Sequence, residues 1–148
     1  MGTSIRQDLL IEVLDCLIPE ELPMPSAGTV GVDSYIKSVC EQSSVTESVV
    51  IDVLNQTDKV SGEQMGAPFV ELANNDKTAV LHAVEESFAT LFNEFLILTY
   101  KGYYTNPKVV EVIGPDAGPP QPNGFTVKPF DERSVDRVRQ AGSLYKEV

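Results

Sequence analysis

The sequence predicts an all-α fold, a helical bundle of five to six helices followed by an extended Pro/Gly-rich C-terminal arm. Three observations predict it. Apolar residues recur at helical spacing from residue 4 to 17 and again from about 76 to 101. Ser/Thr-type helix-start signals precede apolar runs at Ser4 and Ser44. Gly114 to Gly124 holds four prolines and three glycines, a composition that neither a helix nor a central strand tolerates.

The 148 residues fit one domain, since single domains cluster around 100–150 residues. With 42% hydrophobic side chains spread along the chain, a packed core is available without staples. The expected organisation is a single helical domain over 1–148, with 103–130 as an irregular arm and 131–142 as a terminal helix.

The first helix is expected from Ser4 to Leu17. Ile5, Leu9, Leu10, Val13, Leu14 and Leu17 line one face, Ser4 and Gln7 form a capping box, and Pro19 stops it. Asp8, Glu12 and Asp15 follow at i, i+4 and i+7 and read as a solvated face. Residues 19–31 form an irregular connector with Pro23, Pro25, Gly28 and Gly31. A short second helix carries Val32, Tyr35, Ile36 and Val39. A third begins at a second capping box, Ser44 with Glu47, ahead of Val49, Val50, Val53 and Leu54, and Lys59 to Pro68 reads as a loop.

The strongest helical signal runs from about Asp76 to Lys101. Val80, Val84, Phe88, Leu91, Phe95 and Leu98 line one side and Glu86, Thr90, Asn93 and Ile97 the other, with a break near Ser87 allowed. Gly102 is expected as a left-handed C′ residue that turns the chain out of this helix and presents Tyr103 and Tyr104. A last helix is expected from Asp131, its N-cap, through Val135 and Val138 to Ala141.

The net charge of −11 comes from 22 acidic and 11 basic residues. A nucleic-acid binder carries a basic stripe instead, and an anionic membrane surface repels this charge. From Phe125 onward, five basic residues (Lys128, Arg133, Arg137, Arg139 and Lys146) outnumber Asp131, Glu132, Asp136 and Glu147. That end either folds back on the acidic body or faces a partner. No apolar run reaches the ~20 residues that span a bilayer, which argues against direct membrane insertion. The N-terminus shows no signal-peptide pattern. The expected localisation is cytoplasmic, or periplasmic if a leader has been removed.

Catalytic motifs are missing. His82 is the one histidine, and with Glu86 it offers half of a ligand pair without the other half, so a surface histidine is expected. Cys16 and Cys40 match neither a redox pair nor a zinc site; Cys16 is expected as a buried free thiol, and a disulfide between the two stays open only if their helices set them side by side. Nucleophile-elbow, phosphate-loop and dinucleotide fingerprints do not occur. No catalytic, cofactor-binding or metal-ligating residue is assigned in this chain. What stands out instead is aromatic and proline-rich: Tyr100, Gly102, Tyr103, Tyr104, Pro107, Pro119, Pro120, Pro122 and Phe125 form a candidate partner-binding surface. The alternative is that this stretch packs back over its own bundle.

These residues also carry a resemblance. Leu96-x-Leu98-Thr99-x-x-Gly102-Tyr103-Tyr104-Thr105-x-Pro107, then a valine-rich turn, then Gly118-Pro119-Pro120-Gln121-Pro122-x-Gly124-Phe125 resembles the gluconate 2-dehydrogenase subunit 3 family. Leu17-Ile18-Pro19, Ala27-Gly28, Gly31-Val32 and Tyr35-Ile36 agree upstream. The resemblance covers nearly the whole chain, loosely before residue 88 and well from there to about Gly142. It implies a non-catalytic small subunit that supports a large FAD-containing oxidoreductase subunit of the glucose–methanol–choline type. FAD and sugar oxidation then belong to that partner, with a cytochrome c or other electron acceptor reached through the complex. Two features depart from the pattern. Many members carry a twin-arginine leader, whereas this sequence opens at the first bundle helix. Lys108-Val109-Val110 and the Pro-Pro-Gln-Pro run replace a Gly-Gly-Asn segment of the gluconate branch, which leaves gluconate, glucosides and other pyranoses open as substrates. The runner-up is a free-standing helical module that binds a protein or a small ligand.

Overall fold

The computed structural model describes residues 4–114 and, beyond them, residue 135 alone. Among the described residues there are six α-helices and one 3-10 turn. They are α1 (Gln7–Leu17), α2 (Val32–Cys40), α3 (Ser44–Met65), the turn Phe69–Glu71, α4 (Asn74–Ser87), α5 (Ala89–Tyr104) and α6 (Pro107–Ile113). The all-α expectation holds. Extended pairing among them is limited to one isolated bridge between Glu21 and Met24 in the connector. No helix among the described residues is long and apolar enough to cross a membrane.

The amphipathic stripes read in the sequence form the core. Leu9, Leu10, Val13 and Leu14 of α1 meet Val32 and Ile36 of α2, Val50, Val53 and Leu54 of α3, Val80 and Val84 of α4, and Phe95 of α5. The α3 helix is the central element, packed against α2, α4 and α5. Its buried hydroxyls are satisfied locally: Thr57 donates to the Val53 carbonyl at 2.9 Å and Ser61 to the Ala67 carbonyl at 2.6 Å. Among the described residues every buried side-chain polar atom has a partner, as close-packed interiors require.

Several expected boundaries move. The α1 helix starts at Gln7 with Arg6 as an uncapped N-cap, so the Ser4–Gln7 capping box does not form. Gln7 instead reaches α2. Its amide donates to the Asp33 carboxylate at 2.9 Å, and its carbonyl oxygen accepts from Lys37. Asp33 is buried and needs that donor more than the helix end does. The cap of α3 is Ser43 rather than Ser44, accepting from the Thr46 N–H at 3.2 Å. That helix then continues through the expected Lys59–Pro68 loop to Met65 and stops at Gly66, whose φ is +71°. The long helical signal does break, at Phe88, where φ −133° and ψ 43° separate α4 from α5.

The expected irregular stretch from 103 is in fact helical at its start. Tyr103 and Tyr104 complete α5. Pro107 occupies the first turn of α6, where its missing N–H costs nothing, and Asn106 caps that helix by accepting from the Lys108 N–H at 3.0 Å. Pro119, Pro120, Pro122, Phe125 and the expected terminal helix 131–142, apart from residue 135, lie outside the described residues.

Candidate partner-binding face

The end of α5 is where most of the described candidate residues meet, and the structure divides them into two sets. Gly102 and Tyr103 face inward. Gly102 is not a left-handed C′ residue; it lies within α5 and is buried. A Cβ there would come within 2.5 Å of Tyr35 Cδ1 and 3.1 Å of Val32 Cγ1. The glycine costs α5 about 1 kcal/mol of helix propensity relative to alanine and lets it lie directly on α2. Tyr103 is 2% exposed, and its hydroxyl donates to the Pro25 carbonyl at 2.7 Å. Asn106 adds a second tie, its amide donating to the Val30 carbonyl at 2.7 Å. Together they fasten the 19–31 connector to the end of α5. Burial pushes the Tyr103 phenol above its ordinary pKa, and the neighbouring Tyr104 adds to the rise. Tyr103 therefore does not serve as an exposed anchor.

Tyr100 and Tyr104 face outward, 45% and 49% exposed. Their ring centroids lie 6.2 Å apart, and the Tyr104 ring also meets Tyr103 edge-on at 5.2 Å. The outer tyrosine is thus braced by a buried one. Ile97, two turns upstream of Tyr104, is 46% exposed on the same helix. An apolar residue on the polar side of α5 was visible in the periodicity, but its meaning was not. Pro107 is exposed at the start of α6, where Val112 and Ile113 are also open to solvent.

Beside this ridge α5, α2 and α3 enclose a groove of about 250 Å³. Val39, Val45 and Val49 form one wall; Ile97, Leu98 and Lys101 form the other. Sequence reasoning missed the groove because its walls come from three helices. The one local signal was Val45, which is 74% exposed in the first turn of α3.

The other sequence candidates resolve into structural roles. His82 is exposed and pairs with Glu85 at 3.5 Å, rather than with Glu86. No group of three His, Cys, Asp or Glu side chains among the described residues could hold a metal ion. The carboxylate stripe of α1 is only partly solvated. Glu12 meets Lys77 at 2.7 Å, and Asp15 accepts the Gly28 N–H at 2.6 Å, in a space that any Cβ on Gly28 would invade. Both cysteines are free. Cys40 is buried and Cys16 only half-buried, against the expectation of a buried Cys16. Burial, then the charge of Glu47, raises the Cys40 thiol pKa.

A family model described as gluconate 2-dehydrogenase subunit 3 matches residues 6–114 of this chain. No curated protein and no solved structure matches it.

Proposed function

The chain belongs to the gluconate 2-dehydrogenase subunit 3 family, and on that premise we propose that it is the non-catalytic small subunit of an FAD-dependent sugar or polyol dehydrogenase. The family match across all six helices carries this reading. In it, the large subunit of the glucose–methanol–choline type holds FAD and oxidises the sugar, and electrons leave through a cytochrome c or another acceptor bound to the complex. This chain contributes a rigid helical body that keeps the large subunit folded and in place. Exposed Tyr100 and Tyr104 supply contact area, since tyrosines offer a large face that loses little conformational freedom on docking.

The test is genetic and biochemical. Removing this chain from its native host should leave the large subunit's message intact and lower its soluble, flavin-loaded level and its sugar-oxidising activity together. Restoring the chain should recover both. Unchanged dehydrogenase activity in its absence would contradict an accessory role.

A further inference from the structure

The match to the family model ends at residue 114, with α6. The six-helix body lies within the matched residues and can carry a binding surface common to the family. Charge narrows the choice. Residues 1–87 hold fifteen acidic and four basic side chains, whereas residues 88–114 hold two of each. The net charge of −11 is thus carried by the first four helices and their connectors, and α5 with α6 is neutral. Charge-depleted surface with exposed aromatics is the composition of an interface core.

Within that neutral part, Ile97, Lys101 and Tyr104 fall at i, i+4 and i+7 on one stripe of α5, with Tyr100 beside them. Lys101 is exposed and makes no ion pair among the described residues. Glu94, one turn before Ile97, shares the groove with it. A cation with no ion-pair partner among the described residues, set beside an apolar groove, suits a ligand with an apolar side chain next to a carboxylate.

We propose that the groove between α2, α3 and α5 is where the large subunit docks. An apolar side chain of the partner fills the space between Val45, Val49 and Ile97, a partner carboxylate pairs with Lys101, and Tyr100 and Tyr104 close the contact along α5. The α5 wall of the groove belongs to the neutral part, and the acidic charge carried elsewhere on the first four helices biases the approach toward that wall. The inference rests on the accessory-subunit reading and adds to it the surface and the chemistry of the contact.

The experiment uses the full chain, tagged and expressed in its native host, as wild type and as Ile97→Asp, Lys101→Glu and Val70→Asp variants. Each is checked first by thermal unfolding. Val70 is exposed on the 3-10 turn, outside the groove lining, and serves as the control. The readout is the amount of flavin-bearing large subunit retained, with its identity established by mass spectrometry. Wild type and Val70→Asp should retain it equally. Ile97→Asp should weaken retention about tenfold or more, as the loss of an interface centre does. Lys101→Glu should weaken it several-fold and reverse the loss of binding with added salt. Full retention by a folded Ile97→Asp variant would overturn the docking site while leaving the accessory role standing. Failure of the wild type to retain any flavoprotein, or its recovery only as a pair of identical chains, would overturn both.

Discussion

The Tyr103 hydroxyl donates a hydrogen bond to the carbonyl of Pro25 at 2.7 Å, joining residues 78 positions apart. Among the described residues no other side-chain hydrogen bond spans more of the chain, and the same Tyr103 ring meets the exposed Tyr104 edge-on at 5.2 Å. The outer face of α5 is therefore held by an inner tyrosine that answers to the fold rather than to a partner.

The two neighbouring tyrosines should consequently separate stability from binding. Tyr103→Phe removes the hydrogen bond and should cost about 1 kcal/mol, while Tyr103→Ala empties a core site and should cost about 3–5 kcal/mol. Tyr104→Ala, at an exposed position, should stay within about 0.5 kcal/mol of the parent. Urea unfolding of the three variants checks this. Equal losses for the two alanine variants would mean that the inward and outward assignments are mistaken.

Gly102→Ala should destabilise the protein even though alanine is the better helix former. The propensity gain is about 1 kcal/mol, and overpacking a close contact costs about 1–3 kcal/mol. A Cβ placed 2.5 Å from the Tyr35 ring puts this site toward the costly end. In a Tyr35→Ala background the same change should cost less, because the nearest obstacle is gone. Identical costs in both backgrounds would show that Tyr35 is not what excludes a side chain at Gly102.

How much of this was legible in the sequence follows from the same residues. Helical spacing placed the core side chains Val80, Val84, Phe95 and Leu98 on one face, because burial of a stripe repeats every turn. The Pro/Gly content of the connector announced its irregular path. Gly102 misled, since a glycine that ends a helix and a glycine that admits a neighbouring helix look alike along the chain. Only the position of Tyr35 distinguishes them. Ser4 misled because capping patterns are local and Gln7 turned to a buried Asp33 instead, while at Ser44 the cap fell one residue earlier, on Ser43. Phe88, expected in the core, is only half-buried because the helix breaks there. The groove was not legible at all, as no single segment contains it.

Alkaline pH should destabilise the fold. Cys40 and Tyr103 both have pKa values raised by burial, so the folded state holds their protons longer than the unfolded chain does. Their contribution to stability is complete below the unfolded values, about 8.5 for cysteine and about 10 for tyrosine, and is lost as pH rises through the folded values. The melting temperature should be level near neutrality and fall above about pH 9. In a Cys40→Ala variant the onset of that fall should move toward the tyrosine range. A melting temperature that rises between pH 9 and 11 would contradict the assigned burial.

As one part of a dehydrogenase, this chain should be recovered together with the rest of the enzyme. Affinity purification of the tagged full chain from its native host, followed by native mass spectrometry and visible absorption of the eluate, measures that directly. The eluate should hold a complex of fixed stoichiometry that contains this chain and a larger protein bearing flavin and oxidising a sugar. A chain that elutes alone and colourless, from cells in which its flavoprotein is present and active, would contradict it.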